Sequence, residues 1–147
     1  MKDFHPVDIL LVEDNPNDAE LMVRALKQQH LLNELFVAED GEQALDFIFN
    51  RGKFANRDVS RAPKVILLDL KLPKINGLEV LREIKSNPLT QKIPVVVVTS
   101  SSEDPDVRKA YELGINSYVV KPVNFDDFAK TVQNTGLYWL LVNEIPQ

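Results

Sequence analysis

Apolar positions along the 147-residue chain alternate between two periods. Short apolar or β-branched runs fall at Val7 to Val12, Leu35 to Ala38, Val65 to Leu68, Val95 to Val98 and Tyr118 to Val120. Three of them show little polar alternation, the pattern of strands covered on both faces. Helix-type spacing fills the stretches between, and several starts are readable. Asn15-Pro16 sets a capping side chain before a proline at the first helical position, ahead of Ala19, Met22 and Leu26 on one face. Gly41 precedes a helix carrying Leu45 and Ile48. Asn76, with Glu79 three residues on, resembles a capping box before Leu78, Leu81 and Ile84. Asp104-Pro105 repeats the cap-proline signal, Gly114 is placed to end that helix, and Asn124 with Asp127 opens the last one. Repeated β-α units predict an α/β domain: a doubly wound parallel sheet with helices on both faces, joined by right-handed crossovers. Ligands of such sheets bind outside the carboxyl ends of the strands, so chemistry is expected just after each strand.

That expectation can be tested on the residues themselves. Glu13 and Asp14 follow the first strand, Asp69 the third, Thr99 with Ser100, Ser101 and Ser102 the fourth, and Lys121-Pro122 the fifth. Each taken singly is an ordinary loop residue; the joint pattern is what carries information. Two carboxylates about 4 Å apart repel by roughly 4 kcal/mol at an effective dielectric near 20. Either one is protonated or a cation sits among them. An all-oxygen site suits a hard divalent ion, and Mg²⁺ characteristically takes one or two carboxylates, several waters and a phosphate. Lys121 adds a point charge on a flexible stem, and Thr99 adds a hydroxyl donor. A metal, an ammonium and a hydroxyl around a carboxylate form the set needed for attack on a phosphoryl group.

Composition narrows the field. The length, 147 residues, suits one domain with its own core. The five glycines are not spaced as a dinucleotide fingerprint or a phosphate-cradling loop, and the absence of cysteine removes thiolate metal sites and thiol nucleophiles. A formal charge of −5 and a pI near 5.0 argue against nucleic acid or an anionic membrane as the main partner. No apolar run approaches the roughly 20 residues of a membrane span. The start Met1-Lys2-Asp3-Phe4-His5-Pro6 lacks the apolar core of a secretory signal. A cytoplasmic domain is expected.

The segments I-L-L-V-E-D-N (9–15), I-L-L-D-L-K-L-P-K-I-N-G (66–77), P-V-V-V-V-T-S (94–100) and S-Y-V-V-K-P (117–122) resemble the signatures of bacterial response-regulator receiver domains of the CheY-like type. The resemblance runs from about Val7 to about Val132, and four ordered motifs make it specific. It implies a flavodoxin-like strand order 2-1-3-4-5 and phosphorylation of Asp69 by a partner histidine kinase. It further implies that Glu13, Asp14, Asp69 and the backbone carbonyl of Lys71 hold Mg²⁺, and that Thr99 and Lys121 contact the phosphoryl group. Tyr118 takes the place of the switch aromatic that turns inward when the threonine moves, and the Lys121–Pro122 peptide is expected to be cis. The residues tuning the lifetime of the acyl phosphate would be Lys71 and Ser101, neither suited to orienting an attacking water, which predicts slow autodephosphorylation. His5 and His30 are assigned surface roles; the donor histidine belongs to the kinase.

Two stretches stand apart. Asn50 to Pro63 carries Arg51, Lys53, Arg57 and Arg61 and exceeds the two to six residues or so usual for such a connection. Its plainer reading is a solvated insertion and its sharper one a docking surface for an acidic partner. Receivers that pair with phytochrome-type kinases resemble this chain in having an enlarged loop here. At the carboxyl end, Phe125, Phe128, Val132 and Trp139 could line one face of a final helix spanning about 125–143. Leu137, Tyr138, Leu140, Leu141 and Val142 then leave its last turns apolar nearly all round, as in a helix buried on more than one side. A homodimer through the fourth and fifth helices, a form the receiver family uses, would cover Leu137, Tyr138, Leu141 and Val142. The expected protein is thus a single-domain regulator that assists its own phosphorylation, turns over no substrate and controls a downstream protein target. Its rivals are a small-molecule phosphatase or phosphotransferase with an aspartate nucleophile, and a pseudo-receiver scaffold that works without phosphorylation.

Overall fold

The computed structural model of the chain describes residues 7–28, 32–56, 63–100, 105–121, 124 and 126–127. Strands β1 (Val7–Val12), β2 (Leu32–Ala38), β3 (Val65–Asp69), β4 (Val95–Thr99) and β5 (Ser117–Val120) make one parallel sheet in the order β2-β1-β3-β4-β5. This is the order expected from the sequence. The connecting helices are α1 (Pro16–Gln28), α2 (Gly41–Ile48), α3 (Gly77–Ser86) and α4 (Pro105–Leu113), with a 3-10 turn at Gly52–Phe54.

Strand alternation divides the core. Ile9 and Leu11 of β1 pack with Met22, Ala25 and Leu26 of α1. Leu10 and Val12 pack on the other face with Leu45, Leu81, Ile84 and Ala110 from α2, α3 and α4. Helices therefore cover both faces, and every residue of β3 and β4 is buried. Each such Leu, Ile or Val contributes about 1.5–3 kcal/mol by leaving water, which is why the uninterrupted apolar runs lie at the centre of the sheet.

Several boundaries differ from the hydrophobic pattern. Strand β2 begins at Leu32, because Leu32 and Glu34 pair with Val7 and Asp8 across an irregularity. The apolar run in the sequence is interrupted at 33–34, and backbone pairing carries the strand through that point. Strands β3 and β4 each run one residue further, so that Asp69 and Thr99 are the last strand residues. The residue that caps α2 is Asp40, whose carboxylate accepts from the Gln43 N–H at 2.7 Å. Gly41 is the first helical residue, and its reason is space: a Cβ there would sit 1.9 Å from the Ile75 carbonyl oxygen. The cap at Asn76 accepts from the Glu79 N–H at 3.0 Å, while the Glu79 carboxylate pairs with Arg82 at 3.2 Å. Gly114 ends α4 with φ +104°, a conformation L side chains rarely adopt.

The first part of the 50–63 segment is exposed at 51–53 and 55–56, as a solvated insertion would be, and is anchored to the sheet edge by Phe54. Phe54 stands edge-on to Phe36 of β2 and Phe47 of α2 at 5.1 and 5.2 Å, and those two rings stack at 4.5 Å. Residues 57–62 lie outside the described residues, as do His5, His30, Ser101, Ser102 and Pro122 with its peptide bond to Lys121. So do Leu137, Tyr138, Leu141 and Val142 and most of the expected last helix. The cap expected to open that helix is present, with the Asp127 N–H donating to Asn124 Oδ1 at 3.1 Å.

Candidate functional site

The parallel sheet brings its polar residues to one edge. Glu13 directly follows β1, and its N–H donates to the Ala38 carbonyl at 2.9 Å, which draws its side chain inward. The residue is 2% exposed, and Oε2 accepts from the Asn15 N–H at 3.1 Å. Asp14 turns outward and is exposed. Asn15 caps α1 as expected, its Oδ1 accepting from the N–H groups of Asn17 and Asp18 at 2.9 and 3.0 Å. Asp69 ends β3 almost fully buried, with Oδ1 accepting from the Lys71 N–H at 3.0 Å. The turn after it closes on Gly77, whose N–H reaches the Leu70 carbonyl at 2.9 Å. A Cβ on Gly77 would lie 2.2 Å from the Asp69 carbonyl oxygen, so only glycine permits this approach. Thr99 is fully buried, and its carbonyl accepts from the Lys121 N–H at 2.7 Å, fixing the start of the segment after β5.

Lys121 joins these parts. Its Nζ donates to Glu13 Oε2 and to Asp69 Oδ2, both at 2.9 Å. It also pairs with Asp18 Oδ2 at 3.3 Å, a partner the sequence reading did not anticipate. The first turn of α1 places Asp18 there, three residues past the Asn15 cap; an acid at a helix start was the available signal. Glu13, Asp14 and Asp69 each present a carboxylate oxygen, all within 4.8 Å of one another. All five candidates, Glu13, Asp14, Asp69, Thr99 and Lys121, thus stand at the same sheet edge, and Lys121 links Glu13 to Asp69. The carbonyl of Lys71 belongs to the turn directly beyond Asp69.

The charges do not balance. Burial pushes the Glu13 carboxyl up to about 7, helped by the negative charge of Asp69 and opposed by Lys121 and the Asn15 N–H. Burial alone would lower the Lys121 ammonium, but its bonds to Asp69 and Glu13 overcome that and hold it above its ordinary value. One ammonium serves three carboxylates directly, and Glu13 Oε1 is buried with no hydrogen-bond partner. A buried polar oxygen left unmatched costs about 1–3 kcal/mol. A divalent cation supplies both the missing charge and the missing contact, and an all-oxygen donor set fits a hard ion. Tyr118 is half-buried, its ring edge-on to Tyr111 of α4 with centroids 6.1 Å apart.

An open parallel α/β sheet with acids, a buried threonine and a lysine at its carboxyl edge defines a class of cation- and phosphate-handling domains. The profile of the response regulator receiver domain matches residues 9–133, and the chain belongs to that family, the receivers of two-component signalling. The response regulator Rcp1 of Synechocystis is 43% identical over 141 residues, covering 96% of this chain and 94% of the relative. Its solved Mn(2+)-bound form superposes with a TM-score of 0.80 at 42% identity, over 97% of this chain and all of the other. The bacteriophytochrome response regulator RtBRR is 50% identical with a TM-score of 0.82, over 97% of this chain and 85% of that one. The phosphorylated cyanobacterial phytochrome response regulator RcpA is 38% identical with a TM-score of 0.78, over 92% and 95%. No helix among the described residues is long and apolar enough to cross a membrane.

Proposed function

We propose that this receiver takes a phosphoryl group on Asp69 from the phosphohistidine of a cytoplasmic sensor kinase of the phytochrome type. One observation carries the reading: Lys121 bridges buried Glu13 and buried Asp69 while an oxygen of Glu13 stays unmatched within the acid cluster. Mg²⁺, held by Glu13, Asp14, Asp69 and the Lys71 carbonyl, would neutralise charge on the transferring group. The Lys71 N–H holds one oxygen of Asp69, and Lys121 holds the other. The carboxylate is thereby oriented before any donor arrives, which removes much of the entropic barrier. An Asp69 oxygen forms the new bond to phosphorus as the bond to the donor imidazole nitrogen breaks, its electron pair remaining on that nitrogen. Lys121 then exchanges a carboxylate for a phosphoryl oxygen without leaving the site.

Thr99 supplies the read-out. A hydrogen bond to a charged group contributes about 1.5–3 kcal/mol, enough to move a two-state equilibrium roughly ten- to a hundredfold. Capture of the Thr99 hydroxyl by the phosphoryl group frees space that Tyr118 fills, changing the surface between α4 and β5 that a downstream target or a second copy contacts. The apolar carboxyl segment around Leu137, Tyr138, Leu141 and Val142 is the surface proposed for homodimer formation. Lys71 and Ser101 offer no group that orients an attacking water, so the acyl phosphate is long-lived. The protein is its own substrate and turns over no other. Incubation with acetyl phosphate and Mg²⁺ adds one phosphoryl group by mass, and Asp69→Asn abolishes the addition. A wild-type protein that gains no phosphoryl group, or an Asp69→Asn variant that gains it equally, overturns the reading.

A further inference from the structure

A cavity of about 440 Å³ opens beside the acid cluster, with Asp14, Leu70, Lys71, Asn76 and Asp106 among its lining. It shares Asp14 with the cluster, and Leu70 and Lys71 of its lining are the residues directly after Asp69. Across it runs an ion pair: Lys71 Nζ lies 3.6 Å from Asp106 Oδ2, with side chains 61% and 32% exposed. Lys71 belongs to the turn after Asp69, and its own N–H holds the Asp69 carboxylate. Asp106 belongs to the first turn of α4. The pair thus ties the phosphoacceptor turn to a helix on the far side of the opening. An ammonium at that rim is also the group an incoming phosphate would meet.

We propose that Asp106 is a positioning residue that holds the Lys71 ammonium at the mouth of this cavity. A phosphate-bearing donor must compete with the Asp106 carboxylate for that ammonium before it reaches Asp69. The pair acts as a charge latch: donor binding exchanges one anion for another on Lys71 and at the same time releases α4 from the phosphoacceptor turn. This rests on the proposed phosphorylation of Asp69 and adds to it a second tie from the site to α4, separate from Thr99 and Tyr118. Any donor that carries its negative charge on phosphate oxygens meets this competition, the kinase phosphohistidine and acetyl phosphate alike, and acetyl phosphate is the simpler probe. In that reaction an Asp69 oxygen bonds to phosphorus and acetate leaves with the electron pair of the broken phosphorus–oxygen bond.

Initial rates of acyl-phosphate formation against acetyl phosphate concentration, with saturating Mg²⁺, test the latch. Exposed ion pairs of this kind shift equilibria by about two- to fivefold. Asp106→Asn is expected to lower the half-saturating concentration by that factor with the maximal rate unchanged, and Asp106→Glu to restore the wild-type value. In a Lys71→Ala background, Asp106→Asn is expected to have no further effect, because the residue acts through Lys71. An unchanged half-saturating concentration in Asp106→Asn, or an equal drop when Lys71 is already alanine, overturns the latch while leaving the phosphorylation reading intact. Absence of any phosphoryl incorporation in the wild type would instead remove the reading on which it stands.

Discussion

Two corners of the sheet are assembled from residues distant in sequence, and they are opposite in character. At the outer edge, Phe36, Phe47 and Phe54 satisfy one another by stacking and edge contacts. At the carboxyl edge, Glu13, Asp18 and Asp69 crowd one ammonium and leave an oxygen of Glu13 unmatched. The aromatic corner is held by contacts among its own rings. The acid corner is electrostatically incomplete, and that incompleteness is what lets an ion and a phosphoryl group matter to it. A structure holds such a deficit only where the surrounding fold over-determines the geometry, here through the buried centre of the sheet.

The comparison can be broken from either side. The largest effect is expected from Gly77→Ala, because a Cβ there meets the Asp69 carbonyl oxygen, a backbone atom with little room to yield. Overpacking of this kind costs about 1–3 kcal/mol or more, and it would displace the turn that carries Lys71. Denaturant midpoints should fall, and phosphoryl incorporation on Asp69 should slow in the folded fraction. Phe54→Ala separates the two corners more cleanly. Its ring is only partly buried, so a loss of about 1–2 kcal/mol is expected, with acetyl phosphate labelling of Asp69 unaltered. Reduced labelling in this variant would mean that the corners are coupled.

The remaining effect is a pH slope. Glu13 titrates near 7 in the folded protein against an ordinary 4.5, so the folded state binds a proton in that window that the unfolded chain has released. Stability contributed by Glu13 is therefore greatest below about 4.5 and falls as pH rises through about 7. In EDTA, the unfolding midpoint of wild type should decline across this range relative to Glu13→Gln. An identical pH profile in the two proteins would show that Glu13 stays ionised throughout.

Much of this was legible beforehand because strand ends in a parallel sheet converge by topology alone. Glu13, Asp14, Asp69, Thr99 and Lys121 each follow or end an apolar run, so finding the runs located them. What escaped was whatever depends on side-chain reach. Asp18 joins Lys121 through the pitch of α1, and Lys71 meets Asp106 across a cavity that no periodicity marks. Phe54 follows no helical or strand period because two left-handed residues, Asn50 at φ 54° and Gly52 at φ 55°, turn the chain back before it. The early start of β2 was hidden by Asn33 and Glu34, where edge pairing needs no apolar side chain. The pattern sets Gly41 before its helix, whereas Asp40 caps that helix and Gly41 is its first residue, there for close packing against Ile75.

The acid corner lacks one cation, and a Mg²⁺ titration at neutral pH, followed by melting temperature, tests this directly. Ligand at a hundred times its dissociation constant stabilises by about 2.7 kcal/mol. Wild type should gain stability with a single-site dependence on Mg²⁺. Asp14→Asn, a change at an exposed side chain that leaves the core untouched, should need at least about tenfold more ion, the scale set by about 1.4 kcal/mol. Equal responses of the two proteins, or no response in the wild type, would contradict the account.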